Sequence, residues 1–110
     1  VQHDRRSQWL RAVLEPCVLA LVRRRESYGY ELAAALEEAG LGAVKGGTLY
    51  PLLLRLERRE LITGTWREGA AGPARKYYRI TSAGEEVLRD TVAEWHVFHR
   101  GVDSILGKGR

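Results

Sequence analysis

Apolar residues Leu10, Val13, Leu14, Cys17, Val18 and Leu21 recur at steps of three and four, the period of one face of an α-helix. They predict an amphipathic helix that runs through Arg25. Pro16 stands inside this run. An interior proline costs a helix about 3 kcal/mol but is tolerated in a first turn, so regular helix is expected from about Pro16, after a separate turn. Ser27 offers an N-cap for a second helix, with Leu32, Ala35, Leu36 and Ala39 as its buried stripe and Gly40 and Gly42 as its breakers. A third helix is predicted to start between Gly46 and Thr48, because Pro51 is acceptable only in a first turn. Leu49, Leu52, Leu53 and Leu56 then share one face, and Tyr50, Arg55 and Arg58 point toward others.

The period then changes. Residues 61–67, LITGTWR, and 75–81, RKYYRIT, are rich in β-branched and aromatic residues and flank EGAAGPA, a Gly- and Pro-containing loop. They read as a two-stranded hairpin with a flexible tip. Alternation along the second strand turns one of Tyr77 and Tyr78 into the core. Ser82 and Glu85 have capping-box spacing and open a last helix to about Leu106. Along it Leu88, Val92, Trp95, His99, Val102 and Leu106 alternate steps of four and three, the seam of a helix that packs lengthwise on another.

Three helices, a hairpin and a fourth helix is the order of a winged helix-turn-helix. The expected fold class is therefore mainly α with a two-stranded β wing and a long C-terminal dimerisation helix. Residues 1–81 form the winged-helix unit, and 82–110 the dimerisation helix packed on it. At 110 residues the chain makes one compact domain but is too small to bury every long helix alone, so a second copy is an expected partner.

Charge sharpens this picture. Residues 26–44 carry four acids and no base, whereas 45–79 carry eight bases (Lys45, Arg55, Arg58, Arg59, Arg67, Arg75, Lys76, Arg79) against three acids. The basic block covers the third helix and the hairpin, the two elements that a winged helix lays on DNA, within a net charge of +4. Lys45, Thr48, Tyr50, Arg55 and Arg58 surround the start and exposed side of the third helix, whose first amides add an anion site. Arg67, Arg75 and Lys76 flank the hairpin tip. Two coincident basic elements favour a polyanionic partner, double-stranded DNA, over a solvated surface.

Cys17, the only cysteine, lies in an apolar run, so a reduced, buried thiol and a cytoplasmic setting are expected. VQHDRRSQWL lacks the apolar core of a signal peptide, and Pro16 to Val22, the longest apolar stretch, is far below a membrane span. The absence of an initiator Met suggests a trimmed start. No His, Cys or carboxylate pattern has metal-ligand or nucleophile spacing, so no enzyme, metal or cofactor is expected.

The segments YGYELAAALEEAG, GTLYPLLLRLERRELI and GPARKYYRITSAGEEVL, in this order, resemble the PadR family of transcriptional regulators over roughly residues 14–100. The resemblance implies a homodimeric repressor that binds a palindromic operator and releases it in response to an effector. It implies DNA-facing or shaping roles for Tyr28, Tyr30, Gly47, Thr48, Tyr50, Pro51 and Arg55, and for Gly72, Arg75 and Lys76 in the wing. Leu54 departs from the pattern, which usually has a polar or basic residue there. An exposed leucine at this point touches a thymine methyl or packs sideways.

The resemblance also places effector pockets, where such regulators have them, at the dimer interface between the first and last helices. There Trp9, Val13 and Trp95 would meet a small planar apolar molecule or the partner's core. His99 and His96 read as interface residues. Two alternatives stand beside this reading. A MarR-type regulator would need a longer N-terminal dimerisation region and lacks the GTLYP signature. A winged-helix module that binds protein would not need the basic side chains of Arg55, Arg58 and Lys76.

Overall fold

A computed structural model describes residues 2–107, with side chains from Arg5 onward. Residues 1 and 108–110, the outer ends of the two expected segments, lie outside the described residues. The elements run α1 (Gln2–Arg24), β1 (Ser27–Tyr28), α2 (Gly29–Glu38), α3 (Gly46–Arg58), β2 (Ile62–Arg67), β3 (Arg75–Ile80) and α4 (Ser82–Leu106). This is the winged-helix order, mainly helical with a small antiparallel sheet.

The sheet has three strands rather than two, in the order β1-β3-β2. Ser27 pairs with Tyr78 and Tyr28 with Tyr77, while β2 and β3 form the hairpin from Ile62↔Ile80 to Arg67↔Arg75. A two-residue strand leaves no periodicity to read, which is why β1 escapes the sequence. It also displaces the expected cap. Ser27 is buried in β1 and its Oγ donates to the Arg25 carbonyl, 3.1 Å away. Tyr28 takes the N-cap place of α2, and its own N–H donates to the Glu31 carboxylate at 3.3 Å.

The break expected before Pro16 is absent: α1 is one helix of 23 residues with Pro16 inside. Leu14, Val18, Leu19 and Val22 are all at most 4% exposed. Each such side chain contributes about 1.5–3 kcal/mol on burial, so together they outweigh the roughly 3 kcal/mol that the proline costs. Pro51 likewise lies beyond the first turn of α3. The Gly47 carbonyl that would have accepted its N–H belongs to an exposed residue, so the lost bond leaves no buried acceptor. Ala39 is the exposed C-cap of α2 rather than part of its stripe.

The core joins all layers. Leu32 and Leu36 of α2, Leu49, Leu52, Leu53 and Leu56 of α3, Ile62 and Tyr78 of the sheet, and Leu88 of α4 close around α1. The turns between them are tied by backbone geometry. Gly40, with φ +90°, ends α2 through Gly40 N–H to Glu37 O and Leu41 N–H to Leu36 O, a Schellman pattern. The same pattern ends α3, with Glu60 N–H to Glu57 O and Leu61 N–H to Leu56 O, but its left-handed residue is Glu60, with φ +60°. Helix α4 starts one residue earlier in the capping sense than Ser82 implied. Thr81 is the N-cap, its Oγ1 accepting from Gly84 N–H at 3.0 Å and donating to the Glu60 carbonyl at 2.7 Å.

Candidate nucleic-acid interface

Burying four leucines on one side of α3 leaves the opposite side to solvent. Lys45 at its N-cap, Gly47, Thr48, Tyr50, Pro51, Leu54, Arg55 and Arg58 are all exposed there. The Gly46 and Gly47 amides stand at the helix start, where no carbonyl one turn earlier in the helix can accept them. Tyr50 anchors this surface, its ring lying against Gly29 at the start of α2.

Strand alternation gives the wing two unlike faces. Trp66, Lys76 and Tyr78 lie toward α3, and Tyr78 is buried. Tyr77, Arg67 and Arg75 alternate to the other face with Tyr28, and Tyr28 and Arg75 also border the space beside α3. There the Arg75 guanidinium sits 4.5 Å above the Tyr28 ring, Tyr28 meets Tyr77 edge-on at 5.2 Å, and Arg67 covers Tyr77 at 4.5 Å. Arg67 also pairs with Glu26. Tyr28 thus carries Arg75 while stacking with exposed Tyr30 at 6.4 Å.

Between α3 and the wing runs an open cleft of roughly 430 Å³, lined by Tyr28, Tyr50, Leu54, Trp66, Arg75 and Lys76 among others. Of the DNA-facing residues expected from the sequence, Tyr28, Tyr50, Arg75 and Lys76 line this cleft, whereas Lys45, Gly47, Thr48, Pro51, Arg55 and Arg58 are exposed on α3 or its N-cap outside the lining. Lys76 is there, but its ammonium is engaged by Glu57 of α3 at 2.8 Å. That bond holds the lysine pKa above its ordinary value. Among the described residues no carboxylate pairs with Lys45, Arg55, Arg58 or Arg75. Trp66 and Glu57 are among the cleft residues that the sequence did not single out. The signal for Trp66 was its phase with Gly64 in β2; Glu57 announced nothing, because its partner is set by tertiary packing.

The second set of residues lies elsewhere. Trp9, Val13, Trp95, Val102 and Leu106 line a groove of roughly 600 Å³ between α1 and α4, together with Leu10 and Phe98. Leu88 is not part of it, being buried in the core, and Val92 is partly exposed on α4 outside its lining. His99 stacks on Trp95 with ring centroids 5.6 Å apart and reaches Asp103 at 3.2 Å. Among the described residues, no helix is long and apolar enough to cross a membrane, and no group of three or more His, Cys, Asp or Glu side chains is placed to hold a metal ion.

Known proteins share this architecture. A PadR-like transcriptional regulator from Bacillus cereus superposes with a TM-score of 0.81 at 41% identity, covering 94% of this chain and 99% of that one. A Streptococcus transcriptional regulator gives 0.78 at 40% identity, over 91% and 98% of the two chains. A PadR family regulator from Eggerthella lenta gives 0.80 at 38% identity, over 93% and 88%. An uncharacterized protein of Lysinibacillus sphaericus is 36% identical over 92 residues, 82% of this chain and 84% of its own. Residues 18–90 match the transcriptional regulator PadR-like family, and the chain belongs to that family of DNA-binding regulators, which in general are not enzymes.

Proposed function

We propose that this protein is a sequence-specific repressor that binds a palindromic operator as a homodimer and is released by an effector. The observation that carries the DNA contact is the set of cations that, among the described residues, have no carboxylate partner: Lys45, Arg55 and Arg58 exposed on α3 and its N-cap, and Arg75 on the wing beside the cleft. In this reading α3 enters the major groove. Arg55 and Arg58 meet phosphates or guanine edges, Thr48 and Tyr50 donate to the backbone, and Gly47 and Pro51 shape the start of the helix. Arg75, held by Tyr28, reaches the flanking backbone.

Dimerisation is supported by the apolar surface that α4 leaves uncovered beyond Leu88: Val92 is 38% exposed, Trp95 42% and Phe98 66%. A two-fold dimer presents two α3 helices to two half-sites, which requires a palindrome. The groove beside Trp9 and Trp95 is the proposed place of a small planar apolar effector. Repression, rather than activation, follows the family resemblance of the three sequence motifs.

The test is selection of DNA from a random pool by the purified protein, then titration of the recovered duplex and its scramble at two salt concentrations. A palindrome bound far more tightly than its scramble, with affinity falling steeply with salt at a log-log slope of about 0.9 per phosphate contacted, supports the reading. Equal, absent or salt-insensitive binding overturns it in favour of a protein-binding winged helix. Light scattering that shows only monomer at micromolar concentration would overturn the dimer.

A further inference from the structure

Lys76 looks from the sequence like one more phosphate contact. Its surroundings say otherwise. The ammonium donates to Glu57 Oε1 at 2.8 Å, and both side chains are about three-quarters buried, at 26% and 27% exposure. It lies 5.7 Å from the Tyr78 ring centroid and 5.9 Å from that of Trp66, so two aromatic faces share the cation with the carboxylate. Gly64 opens the path across β2. A Cβ at this position would run into the Lys76 side chain and stand 3.1 Å from Glu57 Oε2. The other ion pairs of this region, Arg59 with Glu15 and Arg67 with Glu26, do not connect the wing to α3.

The geometry points to Glu57 and Lys76 as a positioning pair that fixes the wing against the recognition helix, so that Lys76 serves DNA binding through Glu57 rather than by touching phosphate. The inference rests on the DNA-binding reading above. A wing joined to the core by a hairpin has freedom to swing about its root. The Glu57–Lys76 bond restricts that freedom on the side of α3 before DNA arrives, as Arg67 with Glu26 does on the other side, which lowers the ordering cost of association. A residue that acts this way has an electrostatic signature opposite to that of a contact. Neutralising an acid beside a polyanion ordinarily tightens binding, since a repulsion is removed.

The experiment titrates the duplex recovered by selection with the full chain and three variants, Glu57→Gln, Lys76→Gln and the charge exchange Glu57→Lys with Lys76→Glu, over a range of salt. Thermal melts establish that each variant is folded at the titration temperature. Glu57→Gln is expected to bind on the order of tenfold more weakly, the effect of one lost charge-assisted bond, although it raises the net charge from +4 to +5. Lys76→Gln is expected to weaken binding with an unchanged salt slope, and the exchanged pair to bind more tightly than either single variant. Equal or tighter binding by Glu57→Gln, a Lys76→Gln slope reduced by about 0.9, or no recovery in the exchanged pair would overturn the proposal while leaving DNA binding intact. No binding by the unsubstituted protein at low salt would overturn both.

Discussion

The Tyr50 ring of α3 fills the space that any side chain at Gly29 would need: a Cβ there would stand 2.7 Å from Tyr50 Cε1. The start of α2 and the exposed side of α3 are thereby set against each other by the absence of one methyl group. Gly29→Ala is expected to destabilise the fold by about 1–3 kcal/mol, as overpacking does. In a Tyr50→Ala background the same substitution should cost far less. Urea denaturation of the four proteins measures the coupling, and additive effects would show that the contact does not matter.

Glu60 closes α3 in the left-handed conformation, with φ +60°, where a β-carbon costs about 1–2 kcal/mol. Glycine has no such cost, and the two Schellman bonds use only backbone. Glu60→Gly is expected to raise stability by about 1 kcal/mol, seen as a higher melting temperature. A lower one would mean that the glutamate side chain contributes more than its backbone loses.

Thr81 has two tasks with one hydroxyl: it accepts from Gly84 N–H and donates to the Glu60 carbonyl. Thr81→Ala removes both and should cost about 1–2 kcal/mol, whereas Thr81→Ser should stay near the parent. Equal loss in the two variants would assign the effect to the methyl group.

Arg55 and Arg58 are separated along α3 and expected to meet different phosphates or bases. Replacing either by Gln is expected to weaken operator binding and, for a phosphate contact, to lower the log-log salt slope by about 0.9. An arginine that reads a guanine should instead cost about 1–3 kcal/mol at one base pair and relax the preference there. Titrations against single-base variants of the operator separate these outcomes.

Burial pushes the Cys17 thiol above its ordinary value of 9.0, and Tyr78 and Lys76 are also raised, above 10.0 and 10.5. The desolvated thiol and phenol, and the lysine held by Glu57, all keep their protons longer in the folded state. Stability is therefore complete below the unfolded values and is lost as pH rises through the folded ones. Urea titrations from about pH 8 to 11 should show a falling free energy of unfolding, with a later onset in Cys17→Ala. A flat profile would mean that these groups titrate alike in both states.

Much of the fold could be read from the chain because its signals are local. The leucines of α3, the hairpin residues and the glycines after α2 each act within a few positions. What escaped depends on partners far along the sequence. Ser27 looks like a cap until Tyr78 pairs with it, Pro16 looks like a boundary until the core around Leu14 and Val18 is closed, and Ser82 looks like a cap until Thr81 is found bonded to Glu60. The same holds at the cleft. Composition counts Lys76 with the bases, and only the fold shows that Glu57 has already taken its charge.

Pro16 has one more effect. It follows Ala12 by one helical turn and brings no N–H to that residue's carbonyl, on the same surface as Val13, Thr91, Trp95 and Phe98. That carbonyl thus lacks its helical donor on a surface that is otherwise apolar except for Thr91 and Glu94. Whatever seals that surface, subunit or small molecule, must bring an N–H or O–H to that point or leave the oxygen stranded at about 1–3 kcal/mol. Hydrocarbon alone is therefore a poor match for the part of this surface around Ala12.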